Sequence, residues 1–173
     1  MPTVEIVRFP GSDEFVADNL VFKDGLSKLV KSEGCIRVIK HHLTCLSVAV
    51  WETYDHHMKF TKHESYLATI ASLTRAQAGP MDIQHVEFDE DTALAMGSPV
   101  TEVAALVPKP DINEKEARNL LTKLRVNLNA EKSCHGVTIG ESREQGDYCR
   151  ALGVGQYTGP QRFREQGFDP GYS

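Results

Sequence analysis

The sequence predicts an α+β fold made of two copies of one strand–helix unit, of which the second copy is incomplete. Alternation of apolar and polar residues marks short strands, and apolar stripes with helical spacing lie between them. Corresponding points in the two halves have a nearly constant offset, since Glu5 and Glu102 are 97 positions apart and Cys35 and Cys134 are 99 apart. This offset indicates that one unit is used twice along the 173 residues.

The first unit, residues 1–90, contains strands and helices in the order β-α-β-β-α-β. Alternation and β-branched composition predict its strands at 3–9, 35–42, 44–52 and 81–88. One helix is expected between the N-cap candidate Ser12 and the C-cap candidate Gly34, and the other over residues 54–73. This order is the split-βαβ or ferredoxin-like arrangement.

The second unit, residues 100–173, follows a predicted linker at 91–99 that is acidic at first and then turn-forming. Its strands are expected at 100–107, 134–141 and 151–158, with an apolar helical stripe from Ala117 to Leu128. The 15 residues after position 158 are too few for a further helix and a fourth strand. We therefore interpret the second copy as truncated.

Each unit covers only one face of its sheet with helices, which leaves an apolar face bare. Such an exposed area exceeds what monomers tolerate. We therefore expect the two units to pack sheet to sheet as an α+β barrel, with a chamber between them that serves as a small-molecule pocket. The missing fourth strand leaves an unpaired edge, which favours a homodimer.

Charge and composition exclude several classes of function. The net charge of −5 argues against binding to nucleic acid, which requires clustered positive charge. No apolar run approaches the length of a membrane span, and the first residues lack the pattern of a secretory signal. We expect a cytoplasmic protein without nucleic-acid or membrane partners. The four cysteines have no disulfide or zinc spacing.

One stretch of the first unit resembles a known superfamily. The run Val-Ala-Val-Trp-Glu-Thr-Tyr-Asp-His-His-Met-Lys-Phe at 48–60, followed by Lys-His-Glu-Ser-Tyr at 62–66, is similar to the dimeric α+β barrel proteins. It looks most like the antibiotic-biosynthesis-monooxygenase (ABM) domains, of which tandem versions occur in fungi. The resemblance covers residues 3–89 and, more weakly, 100–165. The resemblance implies an α+β barrel fold, and members of the superfamily include oxygenases that need no cofactor.

The resemblance also implies roles for particular residues. Polyketide cyclases of the superfamily carry a Tyr and then His-x-x-His, and the matching positions here are Phe60, His63 and Tyr66. His63 is therefore a candidate base and Tyr66 a candidate hydrogen-bond donor to an enolate. Trp51 and Phe60 are expected as walls of the substrate pocket.

Further candidates come from the strands. His41 and His42 are adjacent, so one of them faces the interior, and His41 is taken as a catalytic candidate. His85 and Glu5 are candidate substrate-binding residues. The other two histidines of the predicted second helix, His56 and His57, are expected to be exposed. No metal site is predicted, since His63-Glu64 is not followed by a second histidine at zinc-protease spacing.

These observations favour a small cofactor-independent enzyme of secondary metabolism. It would act by proton transfer on a hydrophobic aromatic or polyketide-like molecule, as a cyclase, an isomerase or an ABM-type monooxygenase. The alternative is a non-catalytic α+β barrel that binds a ligand or serves in a stress response. The fold does not choose between these functions, and only the site can.

Overall fold

The structure is a computed structural model that describes residues 2–18, 20–41, 46–144 and 146–155. Within these ranges the side chains of Lys40, His41 and Leu46 are not described. The architecture is α+β. The strands are β1 Thr3–Arg8, β2 Cys35–His41, β3 Leu46–Trp51, β4 Asp82–Phe88, β5 Val100–Leu106, β6 Cys134–Ser142 and β7 Tyr148–Val154. The helices are α1 Asp13–Ala17, α2 Lys23–Leu29, α3 Tyr54–Phe60, α4 Glu64–Ala76, α5 Ala93–Met96 and α6 Glu114–Asn129.

Both predicted helices of the first unit are divided in two. Ser12 caps α1 as expected, because its side chain accepts a hydrogen bond from the backbone N–H of Phe15. The helix predicted over 54–73 ends at Phe60 and begins again at Glu64, where the side chain of His63 acts as the new N-cap. The segment predicted to be helical is therefore two helices, separated at residues 61–63. The break matters because it places two helix ends beside the candidate site.

Two local predictions in the second half also differ from the structure. The expected linker contains the short helix α5, whose Ala95 and Met96 are buried. Strand β7 begins at Tyr148, three residues before the strand start predicted at 151, and it ends at Val154. Tyr148 and Cys149 are buried, so the strand starts where apolar side chains can pack. Residues 156–173 lie outside the described part of the chain.

The described strands form one seven-stranded antiparallel sheet with the order β2-β3-β1-β4-β6-β7-β5. The two halves join through β4 and β6, with Val86 opposite Ser142 and Phe88 opposite Gly140. A side chain at Gly140 would lie 2.5 Å from the carbonyl oxygen of Glu87, so only glycine allows the strands to approach this closely. The arrangement thus differs from the expected pair of separate sheets packed face to face.

The two faces of this sheet have different coverings. One face carries an apolar cluster drawn from both halves of the chain. Its buried members are Val4, Ile6, Val48, Val50, Val86, Phe88, Ala95, Met96, Cys149 and Ala151. The opposite face of β1, β3 and β4 lies under α2, α3 and α4, and its clusters include Trp51, Phe60 and Leu73. The candidate site described below lies on this helix-covered face, not in a chamber between two sheets.

The sheet ends at β5, which pairs with β7 and with no second strand among the described residues. The predicted homodimer through an unpaired edge therefore stays a prediction. None of the helices in the described ranges is both long and apolar enough to cross a lipid bilayer.

Candidate functional site

The candidate site begins with a pair of polar residues on neighbouring strands. Glu5 of β1 and His85 of β4 are direct cross-strand partners. Alternation along each strand turns both side chains toward the helix-covered face, where Ala49 and Trp51 of β3 also point. Helix α3 crosses this face. Its N-cap Thr53 accepts a hydrogen bond from the backbone N–H of His56, and the next residue, His57, points down onto the sheet.

Four side chains form a continuous chain of polar contacts, which we call the relay: Glu5, His57, His85 and Glu144. Oε1 of Glu5 lies 3.5 Å from Nε2 of His57. Nδ1 of His57 lies 2.8 Å from Nε2 of His85. Nδ1 of His85 in turn lies 2.5 Å from Oε1 of Glu144. Both histidines are buried, and Glu144 is the most exposed member of the relay. The relay therefore connects the interior to the solvent.

Neighbouring groups hold the two ends of the relay. At the inner end, Nε1 of the fully buried Trp51 donates to Oε2 of Glu5 at 3.0 Å. At the outer end, Oε2 of Glu144 accepts from the backbone N–H of His85 at 2.8 Å. The backbone N–H of Arg143 donates to the carbonyl of His85 at 2.9 Å, so the turn between β6 and β7 is fixed to β4.

The charges of the relay follow from burial and from these contacts. Burial lowers the pKa of His57, and the opposing effect of Glu5 does not overcome it. Burial alone would raise the pKa of Glu144, but hydrogen bonds from the backbone and ring of His85 bring it below its ordinary value. Near neutral pH, His57 is therefore uncharged and Glu144 is ionised.

These charges determine where the hydrogen atoms lie. An ionised carboxylate can only accept, so Nδ1 of His85 carries the hydrogen that binds Glu144. When His85 is neutral, its Nε2 accepts from Nδ1–H of His57. Nε2 of His57 then presents a lone pair toward Oε1 of Glu5, 3.5 Å away. Two acceptors that face each other leave a position that a hydroxyl donor can occupy.

A small cavity adjoins this position between the sheet and helices α2–α4. Its volume is about 30 Å³, which is room for one or two water molecules. Glu5, His57 and Tyr66 contribute polar groups to its lining. Phe60 closes one side and packs against Trp51 and Tyr66, with ring centroids 5.5 and 5.6 Å apart. The arrangement can accept a proton in a water-poor environment.

Three members of the relay also have the residue types of a metal site. One ligand atom each from Glu5, His57 and His85 lies within 4.8 Å of the others, and two histidines with one carboxylate can hold zinc or iron. The nitrogens of His57 and His85 are 2.8 Å apart, which is a hydrogen-bond distance. Two ligands on a tetrahedral zinc ion would be about 3.3 Å apart. The geometry therefore fits a hydrogen-bonded relay better than a metal centre.

The residues predicted from the sequence fall into separate groups. Glu5 and His85 belong to the relay, Trp51 supports it, and Phe60 and Tyr66 line the cavity. His63 is exposed and lies outside the cavity lining. Its Nδ1 accepts from the backbone N–H of Ser65 at 3.2 Å, and this contact caps α4. The side chain of His41 and all of His42 lie outside the described residues.

Two relay members were not predicted. His57 was expected to be exposed, but only 6% of its surface is accessible. A signal for its burial was present, because Phe60 follows at i+3 and adjacent turns of a helix share a face. Glu144 lies in a polar turn, and no local pattern distinguishes it from the acidic residues around it. Its role depends on the pairing of β4 with β6, which only the fold establishes.

Comparison with known proteins shows a shared fold. No family model matches the sequence, and no curated protein is significantly similar to it. Two solved structures, both of bacterial proteins described as putative monooxygenases, are similar. The protein from Fusobacterium nucleatum aligns with a TM-score of 0.62 and 14% identity, over 87% of this chain and 74% of its own. The protein from Lactobacillus acidophilus aligns with a TM-score of 0.51 and 6% identity, over 87% and 75% respectively.

Proposed function

We propose that this protein is a cofactor-independent enzyme of the ABM-monooxygenase type that removes a proton from the hydroxyl group of a hydrophobic aromatic or polyketide-like molecule. The observation that carries the proposal is the buried lone pair of His57, which faces Glu5 at the edge of a cavity. A neutral imidazole is a suitable general base near neutral pH. The shared fold with proteins described as monooxygenases is consistent with it.

The relay gives the proton a defined route. Nε2 of His57 takes the proton of the substrate hydroxyl, and Nδ1 of the same ring passes its hydrogen to Nε2 of His85. Glu144 stabilises the positive ring of His85 through the contact at Nδ1. Positive charge thus moves from the cavity toward the solvent.

The substrate anion is electron-rich and is the species that reacts further. In the monooxygenase form of the reaction, a ring CH₂ carbon becomes a carbonyl. One oxygen atom of O₂ enters the product and the other leaves as water with the two hydrogens. Cyclisation and isomerisation would begin from the same anion, so all three reactions depend on His57.

Oxidation of anthrone, whose enol tautomer carries the hydroxyl group that His57 deprotonates, to anthraquinone tests the proposal, followed by oxygen uptake and by absorbance. We expect turnover by the wild type and a rate lower by roughly 10²–10⁴-fold for His57→Gln, which removes the base. His135→Gln is the matched control, because this histidine is exposed on β6, away from the relay. Absence of turnover by the wild type, or equal rates for wild type and His57→Gln, would contradict the proposal.

The small volume of the cavity favours a second candidate, a non-catalytic protein with this fold. A space of about 30 Å³ holds water but no aromatic ring. In that case the relay would serve to satisfy buried polar groups, and the wild type would be inactive toward anthrone and related phenols. The same oxygen-uptake assay therefore separates the two candidates.

A further inference from the structure

A second, open cavity lies next to the relay cavity, and we call it the lysine groove. Its volume is about 370 Å³, and it lies between the end of α2, helix α3 and the start of α4. Lys28, Lys31 and Lys59 contribute three ammonium groups to its lining, and Glu33 contributes one carboxylate. Among the described residues, no ion pair involves these three lysines. The groove therefore has positive charge available for a ligand.

His63 adds a directed donor to the same groove. Its Nδ1 accepts from the backbone N–H of Ser65, so the hydrogen of the neutral ring is on Nε2. The beginning of the 13-residue helix α4 also lies here, and helix N-termini favour negative charge. A cationic groove with a hydrogen-bond donor and an aromatic wall is suited to an acidic group that is attached to an aromatic ring.

Phe60 separates the lysine groove from the relay cavity, because its ring lines both of them. It is the last residue of α3, and the residues that follow it up to His63 are not helical. Its ring packs against the rings of Trp51 and Tyr66. Displacement of this one ring would join the two spaces into a pocket of about 400 Å³, which lies within the range of small-molecule sites.

We propose that the substrate is a phenol that carries an acidic group, and that Phe60 is the gating residue that the substrate ring displaces. The acidic group binds Lys28, Lys31 and Lys59 in the lysine groove. The ring takes the position of the Phe60 side chain against Trp51, and the hydroxyl group reaches His57 and Glu5. The role of the hydroxyl end rests on the proposed function, whereas the role of the lysines does not.

Two fluorescent probes that differ in one acidic group test the lysines. We expect the wild type to bind 6-hydroxy-2-naphthoate, whose two groups lie at opposite ends of the ring system, at least tenfold more tightly than 2-naphthol at 50 mM NaCl. The variant K28Q/K31Q/K59Q should lose this preference, with at least tenfold weaker binding of the acid and less than twofold change for 2-naphthol. At 500 mM NaCl the preference of the wild type should decrease, because salt screens exposed charges.

The control variant is K115Q/K123Q/K132Q, which removes the same charge from exposed lysines in and after α6. It should bind both probes as the wild type does. Equal affinity of the wild type for the two probes, failure to bind either, or an equal loss in both triple variants would overturn the proposal.

Phe60 is tested by the rate of binding. Phe60→Leu should increase the association rate of 6-hydroxy-2-naphthoate at least threefold in stopped-flow fluorescence, because a smaller side chain opens the connection. Phe9→Leu is a matched truncation in the apolar cluster outside the relay cavity, and it should leave the rate unchanged. Unchanged or slower association with Phe60→Leu would refute the gating role.

The two proposals fail separately. His57→Gln, whose amide can still hydrogen-bond the hydroxyl group, should bind 6-hydroxy-2-naphthoate within threefold of the wild type and still lose turnover of anthrone. If the lysine variant binds normally while His57→Gln is inactive, the substrate proposal is wrong and the proposed role of His57 as base is kept. If the lysine variant loses binding of the acid while His57→Gln stays active, the proposed base is wrong and the substrate proposal is kept.

Discussion

At the scale of single residues, neighbouring side chains hold both ends of the relay in place. Trp51 fixes one oxygen of Glu5, and Glu144 fixes the ring of His85. Only the contact between Glu5 and His57, at 3.5 Å, is longer than a strong hydrogen bond. The one loose contact is therefore the one that faces the cavity, which is where a reacting group would enter.

Stability should depend on pH through His57. Burial lowers the pKa of His57 below 6.5, although Glu5 on β1 and Glu144 on the β6–β7 turn oppose this effect, while His85 on β4 reinforces it. In the unfolded chain the same group has its ordinary pKa near 6.5 and binds a proton more readily. The free energy of unfolding should therefore fall as pH decreases from 6.5 toward the folded-state pKa.

Urea denaturation of the wild type and His57→Gln at pH 7.5 and 5.5 measures this effect. We expect the wild type to lose more stability over this interval than the variant, which has no such group. His135→Gln should behave like the wild type, since that histidine is exposed. Equal losses for the wild type and His57→Gln would show that His57 does not carry the effect.

At the scale of elements, local patterns predicted most strands within two residues but did not predict the division of the helices. Strand β1 and strand β5 begin where alternation indicated. The break after Phe60 depends on the side chain of His63, which replaces a backbone partner at the start of α4. Histidine is not among the usual N-cap residues, so capping preferences do not mark the start of a second helix here.

The cap of α3 should affect both stability and the relay. Thr53 accepts from the backbone N–H of His56, and α3 carries His57. Thr53→Ala should lower the free energy of unfolding by about 1 kcal/mol and should also lower turnover of anthrone, because the helix end that positions His57 is loosened. Urea unfolding and oxygen uptake measure the two effects.

Asn113→Ala provides the comparison, because Asn113 caps α6 in the same way, through the backbone N–H of Glu116. Asn113→Ala should lower the free energy of unfolding by a similar amount and leave turnover of anthrone unchanged. If both variants change turnover equally, the effect of Thr53 is one of general stability and not of position.

At the scale of the whole molecule, the relay exists because the two halves of the chain share one sheet. Glu5, His57 and His85 come from the first half, and Glu144 comes from the turn that follows β6. The sequence predicted the strands of both halves but placed them in separate sheets, since hydrophobic patterning shows which face is buried and not which edge pairs. The pairing of β4 with β6 depends on close approach at Gly140, which no alternation pattern reveals.

Gly140 should therefore be sensitive to substitution by any residue with a side chain. A Cβ at this position would lie 2.5 Å from the carbonyl oxygen of Glu87 and 2.6 Å from a methyl carbon of Val86. Gly140→Ala should force β4 and β6 apart, with a loss of roughly 1–3 kcal/mol or more in the free energy of unfolding. It should also reduce turnover of anthrone, because Glu144 would move away from His85.

Gly146→Ala separates this effect from an ordinary glycine substitution. Gly146 has a φ of 68°, so alanine is strained there, but no atom lies within 4 Å of the added carbon. We expect a loss of about 1 kcal/mol with the β4–β6 pairing intact. Urea unfolding compares the two variants, and protection of the backbone N–H groups of β4 and β6 from hydrogen exchange reports the pairing. Equal protection in both variants would mean that the junction tolerates a side chain, and the close approach at Gly140 would not be what joins the two halves.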